Sequence, residues 1–397
     1  MNILRSLSLT YRNLNTLLAL LIMSASSTLA ASKENEIPTP VSRTDRYILL
    51  AGGEQLHVRE VSLKSEGKPV LLIHGARVPG LASFNLPVKG GSLAADLALA
   101  GFRVYILDLR GYGLSSRPAA MDSPPDQSTP LIRTADAITD IDRAVQAIQA
   151  WSRAPRINIL GWATGGHWAG AYATQYPQNV ERLVLYNTLY GGTAHHPLLG
   201  QGSPLDDPQN PGHFNAAKFG GWSLNTRDSL FVAWDNSIPV ADKTQWRDET
   251  VKRAYGDAAL ASDNTSQRRT PHSFRAPTGA MADSFELATG RKQWSATALT
   301  TVPVLVIRSE RDFWSRPEDM DAIMKDAPSA EKLVIPEATH FVHLDRDNAG
   351  RQRFLQGVVR FLAQPQPNDG TCSSGKSTIT SVPSLPGNTR CGTPAAA

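Results

Sequence analysis

Cysteine is nearly absent from this chain. Among 397 residues there are two, Cys372 and Cys391, and both fall in the last thirty. The body of the chain is therefore cysteine-free and cannot rest on a disulfide framework. Long apolar runs are missing too, so no stretch is suited to spanning a bilayer. Charged residues make up 19% of the chain, the formal net charge is +4, and there is no basic run. Nothing in that balance calls for nucleic acid or an anionic membrane surface as a partner. No internal repeat occurs. Gly161 to Gly166 lacks the Lys-Ser/Thr ending of a phosphate loop. His195-His196 has no spaced carboxylate or further histidine to complete a metal site, and reads as solvated loop. No cofactor or metal is implied.

What is present begins with a targeting pattern. Arg5 and Arg12 precede the apolar core Leu17 to Met23, and Ser27-Thr28-Leu29-Ala30 supplies small residues for cleavage after Ala30. Residues 1–30 are thus expected to be a signal peptide, giving a secreted or periplasmic protein without stable membrane insertion. Its removal takes away Arg5 and Arg12 and leaves a net charge of +2. In an exported chain the even cysteine count favours one Cys372–Cys391 disulfide; two free thiols are the alternative.

Residues 31–45 read as a linker carrying Pro38 and Pro40. A hairpin is expected from Arg46 to Val61 around Gly52-Gly53. Pro69 to Ile73 and Phe102 to Leu107 are continuous apolar runs, as in buried parallel strands. Ala76 to Gly91 reads as loop, Leu93 to Ala100 as a short helix, and Pro118 to Pro130 as exposed. Ile138, Ile141, Val145 and Ile148 give residues 134–151 helical periodicity. Strands are expected at Ile157 to Leu160, Val180 to Leu185, Val302 to Arg308 and Lys332 to Pro336. Helices are expected at Gly165 to Tyr176, from Pro317, and over Asp347 to Leu362. The βαβ alternation predicts an α/β fold with a mainly parallel sheet covered on both faces. It is interrupted over residues 191–298, which are rich in Gly, Pro, Asn and Asp. Trp222, Trp234, Tyr255, Phe285 and Trp294 are among the aromatics scattered there; most are expected to form that segment's own core. Residues 364–397 read as a flexible tail.

Gly161-Trp162-Ala163-Thr164-Gly165 stands between an apolar strand and a helix start, in the pattern small-x-nucleophile-x-small. His74-Gly75-Ala76, Asp108 to Ser115, Asp312 and His340 each follow a further predicted strand, in that order. On these five motifs the chain resembles the α/β-hydrolase superfamily of serine-hydrolase type, over most of Arg46 to Leu362. The resemblance implies a core of residues 46–190 and 299–363, with 191–298 as a cap. It also implies the chain order nucleophile, acid, histidine: position 163, Asp312 and His340. Glu310 is a weaker acid candidate, and a surface ion-pair cluster with Arg308 and Arg311 is the structural alternative for Asp312. Backbone N–H groups of Ala76 and Thr164 would form the oxyanion hole.

The nucleophile position holds alanine, whose methyl group cannot attack a carbonyl. Thr164 is a poor substitute because its side chain leaves the turn in another direction. The resemblance therefore implies a carboxylic-ester hydrolase lineage acting on a small apolar ester-like substrate, with this chain inactive or strongly impaired. Two other readings stay open: a non-catalytic small-ligand-binding protein on the same fold, and general-base catalysis by His340 and Asp312 without a covalent nucleophile.

Overall fold

The computed structural model describes residues 40–63 and 66–365. The expected signal peptide and both cysteines lie outside the described residues, as does nearly all of the expected tail. An eight-stranded sheet forms the centre of the fold: β1 Ser42–Leu49, β2 Gln55–Ser62, β3 Pro69–Ile73, β4 Arg103–Asp108, β5 Ile157–Trp162, β6 Val180–Tyr186, and the later strands Val304–Ser309 and Glu331–Ile335. Their spatial order is β1-β2-β4-β3-β5-β6, then Val304–Ser309, then Glu331–Ile335 at the far edge. β1 and β2 form the expected antiparallel hairpin, and β2 runs antiparallel to β4; every other pairing is parallel. β1 begins at Ser42, inside the stretch expected as linker.

Continuous apolar sequence predicts strands buried on both faces, and this is observed. Every residue of β3 and β5 is buried, each Val, Leu or Ile contributing roughly 1.5–3 kcal/mol. Helices cover both faces of the sheet. Among them are α1 Gly80–Phe84, α2 Leu93–Leu99, α3 Thr134–Ser152 and α4 Thr164–Gln175. In α3 the periodic residues Ile138, Ile141, Val145 and Ile148 are all buried. α1 was not expected, since residues 76–91 read as loop. It is too short for periodicity to reveal and is held by tertiary contact instead: Gly80 donates its N–H to Asp108 Oδ1 at 2.8 Å. A Cβ at Gly80 would lie 2.6 Å from the Leu107 carbonyl oxygen, so only glycine lets α1 approach β4 this closely.

Residues 191–298 are more regular than their composition suggests. They contain α5 Ala216–Phe219, β7 Trp222–Thr226, α6 Arg227–Ser237, α7 Glu249–Ala261, β8 Ser273–Pro277 and α8 Gly279–Ala288, with β7 and β8 paired antiparallel. The sheet then resumes as β9 Val304–Ser309, followed by α9 Pro317–Asp326, β10 Glu331–Ile335 and α10 Arg351–Ala363. Among the described residues no helix is long and apolar enough to cross a membrane.

The turn after β10 buries two titratable groups with opposite effects. Burial drives the His343 pKa down to about 3. Burial also raises Asp345 to about 6, against hydrogen bonds from Thr339 and Trp234. Below pH 6.5 the unfolded chain protonates His343 while the folded chain refuses the proton, so stability is lost on acidification. Between about pH 6 and 4 the folded chain keeps a proton on Asp345 that the unfolded chain releases, which opposes that loss. We expect Asp345→Asn to steepen the loss of stability between pH 6 and 4 by up to roughly 3 kcal/mol. Urea unfolding across that range measures it; parallel profiles for the two proteins would refute the assignment.

Candidate active site

The turn from β5 into α4 places Ala163 at φ 54°, ψ −122°, a conformation that L-residues avoid at a cost of about 1–3 kcal/mol. Its neighbours explain how the turn is held. A Cβ at Gly161 would stand 2.2 Å from the Gly165 carbonyl oxygen, and one at Gly165 would stand 2.4 Å from the carbonyl oxygens of Ile73 and His74. The start of α4 is thus pressed against the end of β3, and both positions must be glycine. Ala163 donates its N–H to the Tyr186 carbonyl at 2.9 Å and accepts from Gly166 at 3.0 Å. Side chain 163 is therefore held at the carboxyl edge of the sheet, where open α/β folds gather their reactive groups.

Asp312 follows β9 and His340 follows β10. Both are buried, with His340 Nδ1 3.0 Å from Asp312 Oδ1. Asp312 is itself held: Oδ1 accepts from the Trp314 N–H at 2.9 Å and Oδ2 from the Ser315 hydroxyl at 2.5 Å. The surface-cluster alternative does not describe it. Arg311 pairs with Glu337, and Arg308 donates to the carbonyls of Ser315 and Glu310. Glu310 is exposed and caps the Glu337 N–H, away from His340.

His340 is fixed through its own carbonyl, which accepts from Tyr186 Oη at 3.0 Å, Asn187 Nδ2 at 3.1 Å and Trp162 Nε1 at 3.2 Å. Asn187 also accepts the Ser309 N–H at 2.7 Å, tying the end of β6 to β9 and to the histidine at once. The imidazole stands edge-on to Trp314, with ring centroids 4.6 Å apart, and lies 5.2 Å from Trp162. The role of Asn187, Tyr186 and Trp162 in holding the His340 carbonyl was not legible in the sequence. The one available signal was an asparagine just past a strand, and Asn187 does adopt positive φ, 48°. His343, three residues on, is structural: it meets Tyr186 Oη at 3.2 Å and the Ser83 carbonyl at 3.1 Å.

The two predicted main-chain donors come to the same place. Thr164 is the first residue of α4, so its N–H has no acceptor within the helix. The His74-Gly75 loop lies against the turn, since a Cβ on Gly75 would reach within 3.0 Å of the Ala163 Cβ. That brings Ala76 alongside. Thr164 Oγ1 instead approaches Ser284 Oγ at 3.4 Å.

A cavity of about 340 Å³ joins these groups; Ala76, Ala163, Thr164 and His340 all line it. Its far wall is aliphatic and comes from beyond β6: Leu198, Leu199, Leu205 and Met281. Of the aromatics in residues 191–298, Tyr255 lines it. Trp234, Phe274, Phe285 and Trp294 are core, as expected. Trp234 also stacks on Phe341 at 4.8 Å, next to the histidine. The expected solvated character of His195-His196 holds for His195 only. His196 is buried, with Nε2 2.8 Å from the Trp314 carbonyl, and it steadies the loop that covers His340. Among the described residues no three His, Cys, Asp or Glu side chains are placed to hold a metal.

Two substitutions in the turn should have opposite signs. Gly165→Ala meets backbone carbonyls and should cost about 3 kcal/mol or more. Ala163→Gly relieves the positive φ and should stabilise by about 1 kcal/mol. Chemical denaturation reads both, and equal losses would contradict the steric account.

Known proteins resemble this chain along the same span. Lipase 3 of Moraxella sp. (strain TA144) is 23% identical over 306 residues, covering 74% of this chain and 78% of that protein. Lipase 1 of Psychrobacter immobilis is 23% identical over 305 residues, with the same coverage. Among solved structures, an esterase from Exiguobacterium antarcticum matches with a TM-score of 0.50 at 17% identity, covering 81% of this chain and 100% of that one. The thioesterase domain of the curacin biosynthetic pathway gives a TM-score of 0.52 at 16% identity, with the same coverage; at such identities the two structures speak for the fold alone. The family model described as the alpha/beta hydrolase fold matches residues 68–347, and this chain belongs to that family.

Proposed function

We propose that this chain descends from carboxylic-ester hydrolases and retains their acyl-binding site, with the covalent step removed by alanine at position 163. The observation that carries the reading is Ala163 itself. It is held at φ 54° in the wall of the cavity that His340 also lines, with Asp312 directly behind the histidine. A strained turn that serves to present a side chain remains, although that side chain can no longer react. Low-identity relatives named as lipases support the acyl chemistry, and a small, largely aliphatic cavity suits an apolar ester.

With serine at 163, each remaining group has a task. The hydroxyl oxygen would attack the ester carbonyl while His340 Nε2 takes its proton. Asp312 would hold the imidazole by its Nδ1 side and stabilise the imidazolium. Ala76 and Thr164 N–H groups would receive the developing oxyanion, each such donor being worth about 10²–10³ in rate. His340 would then return the proton to the leaving alcohol, and water would release the acyl group by the same route. In the chain as it stands, binding, carbonyl polarisation and the base remain. Such a remnant supports about 10³–10⁴-fold catalysis over water. The second reading, His340 acting as general base on water, draws on a specific feature: the histidine lines the cavity with the Asp312 carboxylate 3.0 Å from its Nδ1.

Ala163→Ser should raise hydrolysis of short-chain aryl esters by about 10³-fold or more, and adding His340→Ala should abolish the gain. A serine variant as slow as the native chain would remove the hydrolase lineage and leave ligand binding. Activity of the native chain that His340→Ala eliminates would favour the general-base reading.

Export completes the proposal, supported by the basic and apolar pattern of residues 5–23 and the small residues up to Ala30. Intact mass of the protein recovered outside the cytoplasm should correspond to a chain beginning at Ala31, with Cys372 and Cys391 oxidised to one disulfide. A chain still beginning at Met1 would refute cleavage.

A further inference from the structure

The cavity wall holds one permanent charge. Arg77 follows the donor Ala76 and lines the same cavity, whose wall contains no aspartate or glutamate. Its side chain makes no ion pair or hydrogen bond with the described residues, and it lies over no aromatic ring. Burial draws its pKa below the usual guanidinium value, and the one titratable group acting on it is Tyr255. A guanidinium cannot escape this setting by losing its proton. Arg77 is half-buried, and several other arginines meet carboxylates where it does not: Arg110 pairs with Asp140, Arg133 with Asp283 and Arg275 with Asp263. Arg77 also sits at φ 69°, the third residue of the cavity wall with positive φ after Ala163 and Asn187. Tyr255 lines the wall as well, within electrostatic reach of Arg77.

We propose that Arg77, with the Tyr255 hydroxyl, is the anchor for a carboxylate on the ligand, so that the cavity takes a monoanionic half-ester or acyl carboxylate rather than a neutral ester. Resting on the acyl-ligand reading above, this adds the charge of the ligand to it. The aliphatic wall of Leu198, Leu199, Leu205 and Met281 would cover the connecting methylenes. The guanidinium would donate a forked pair of charge-assisted hydrogen bonds to the carboxylate. Because Arg77 adjoins Ala76, the carboxylate would be anchored on the side of the oxyanion donor, directing the ester carbonyl toward position 163.

Binding to the native full-length chain tests this without turnover, using monomethyl glutarate against dimethyl glutarate by calorimetry. The monoanion should bind about 10–100-fold tighter. Arg77→Met should erase that preference, Arg77→Lys should retain part of it, and Tyr255→Phe should weaken the monoanion several-fold while leaving the diester unchanged. Equal affinities for the two esters, a preference that survives Arg77→Met, or failure of both to bind at millimolar concentration would each overturn the proposal. If the methionine variant does not fold, the native comparison and Tyr255→Phe decide alone. The two readings fail separately. An Ala163→Ser variant that hydrolyses neutral esters as well as half-esters sinks the carboxylate anchor and spares the hydrolase lineage. Arg77-dependent binding of the monoanion with no turnover by that variant does the reverse.

Discussion

The site depends on a steric squeeze between the end of β3 and the start of α4. Gly161 and Gly165 let backbone meet backbone at distances no side chain allows, and the chain between them is forced through positive φ at Ala163. That geometry persists without a reactive atom at its apex. The turn is specified by glycine contacts and by the Ala163–Tyr186 main-chain hydrogen bond, none of which involves the side chain at 163. Under the proposed lineage, a serine-to-alanine change at 163 would thus alter one side chain and leave the main chain of Ala76 and Thr164 in place.

A second device holds the histidine. His340 lies on a turn after β10, outside any strand or helix, and three side chains from β5 and the end of β6 converge on its carbonyl. They bind the main chain rather than the imidazole, which leaves Nδ1 for Asp312 and Nε2 for the cavity. Such a three-point grip places a ring in a loop nearly as firmly as a strand would, as positioned catalytic groups require. Trp314, itself held by His196, closes the other side. The ring is thus set in position before any ligand arrives.

Residues beyond β6 decide what can enter. Residues 198–205 and Met281 supply aliphatic wall, Tyr255, Trp314 and Phe341 supply rings, and Trp234 goes into packing against Phe341. Tyr255 and Ser284 are polar residues on that wall, and Arg77 lines the same cavity next to the Ala76 donor. Apolar lining with few convergent polar groups is the usual make-up of a small-molecule site. Here those polar groups divide into an anchor and a reacting end.

Much of this was legible in the residues alone. Continuous apolar runs are diagnostic of buried parallel strands, so the order of the central elements, the turn at 163, and Asp312 and His340 as candidates could all be read from local pattern. What escaped was whatever depends on contacts distant in sequence. α1 is held by Asp108 across the sheet edge and has no periodicity of its own. Asn187 acts through residues more than a hundred positions away. His196 is buried by a loop that folds over it from beyond β9. The lone charge of Arg77 is an unusual feature only because no carboxylate came to meet it, and that is decided by the packing of the whole chain. Sequence by itself determined the fold and the candidate positions 163, Asp312 and His340, because hydrophobic period and turn chemistry are local. Tertiary structure alone decided how the histidine is held and what charge the cavity presents, because both are sums over distant neighbours.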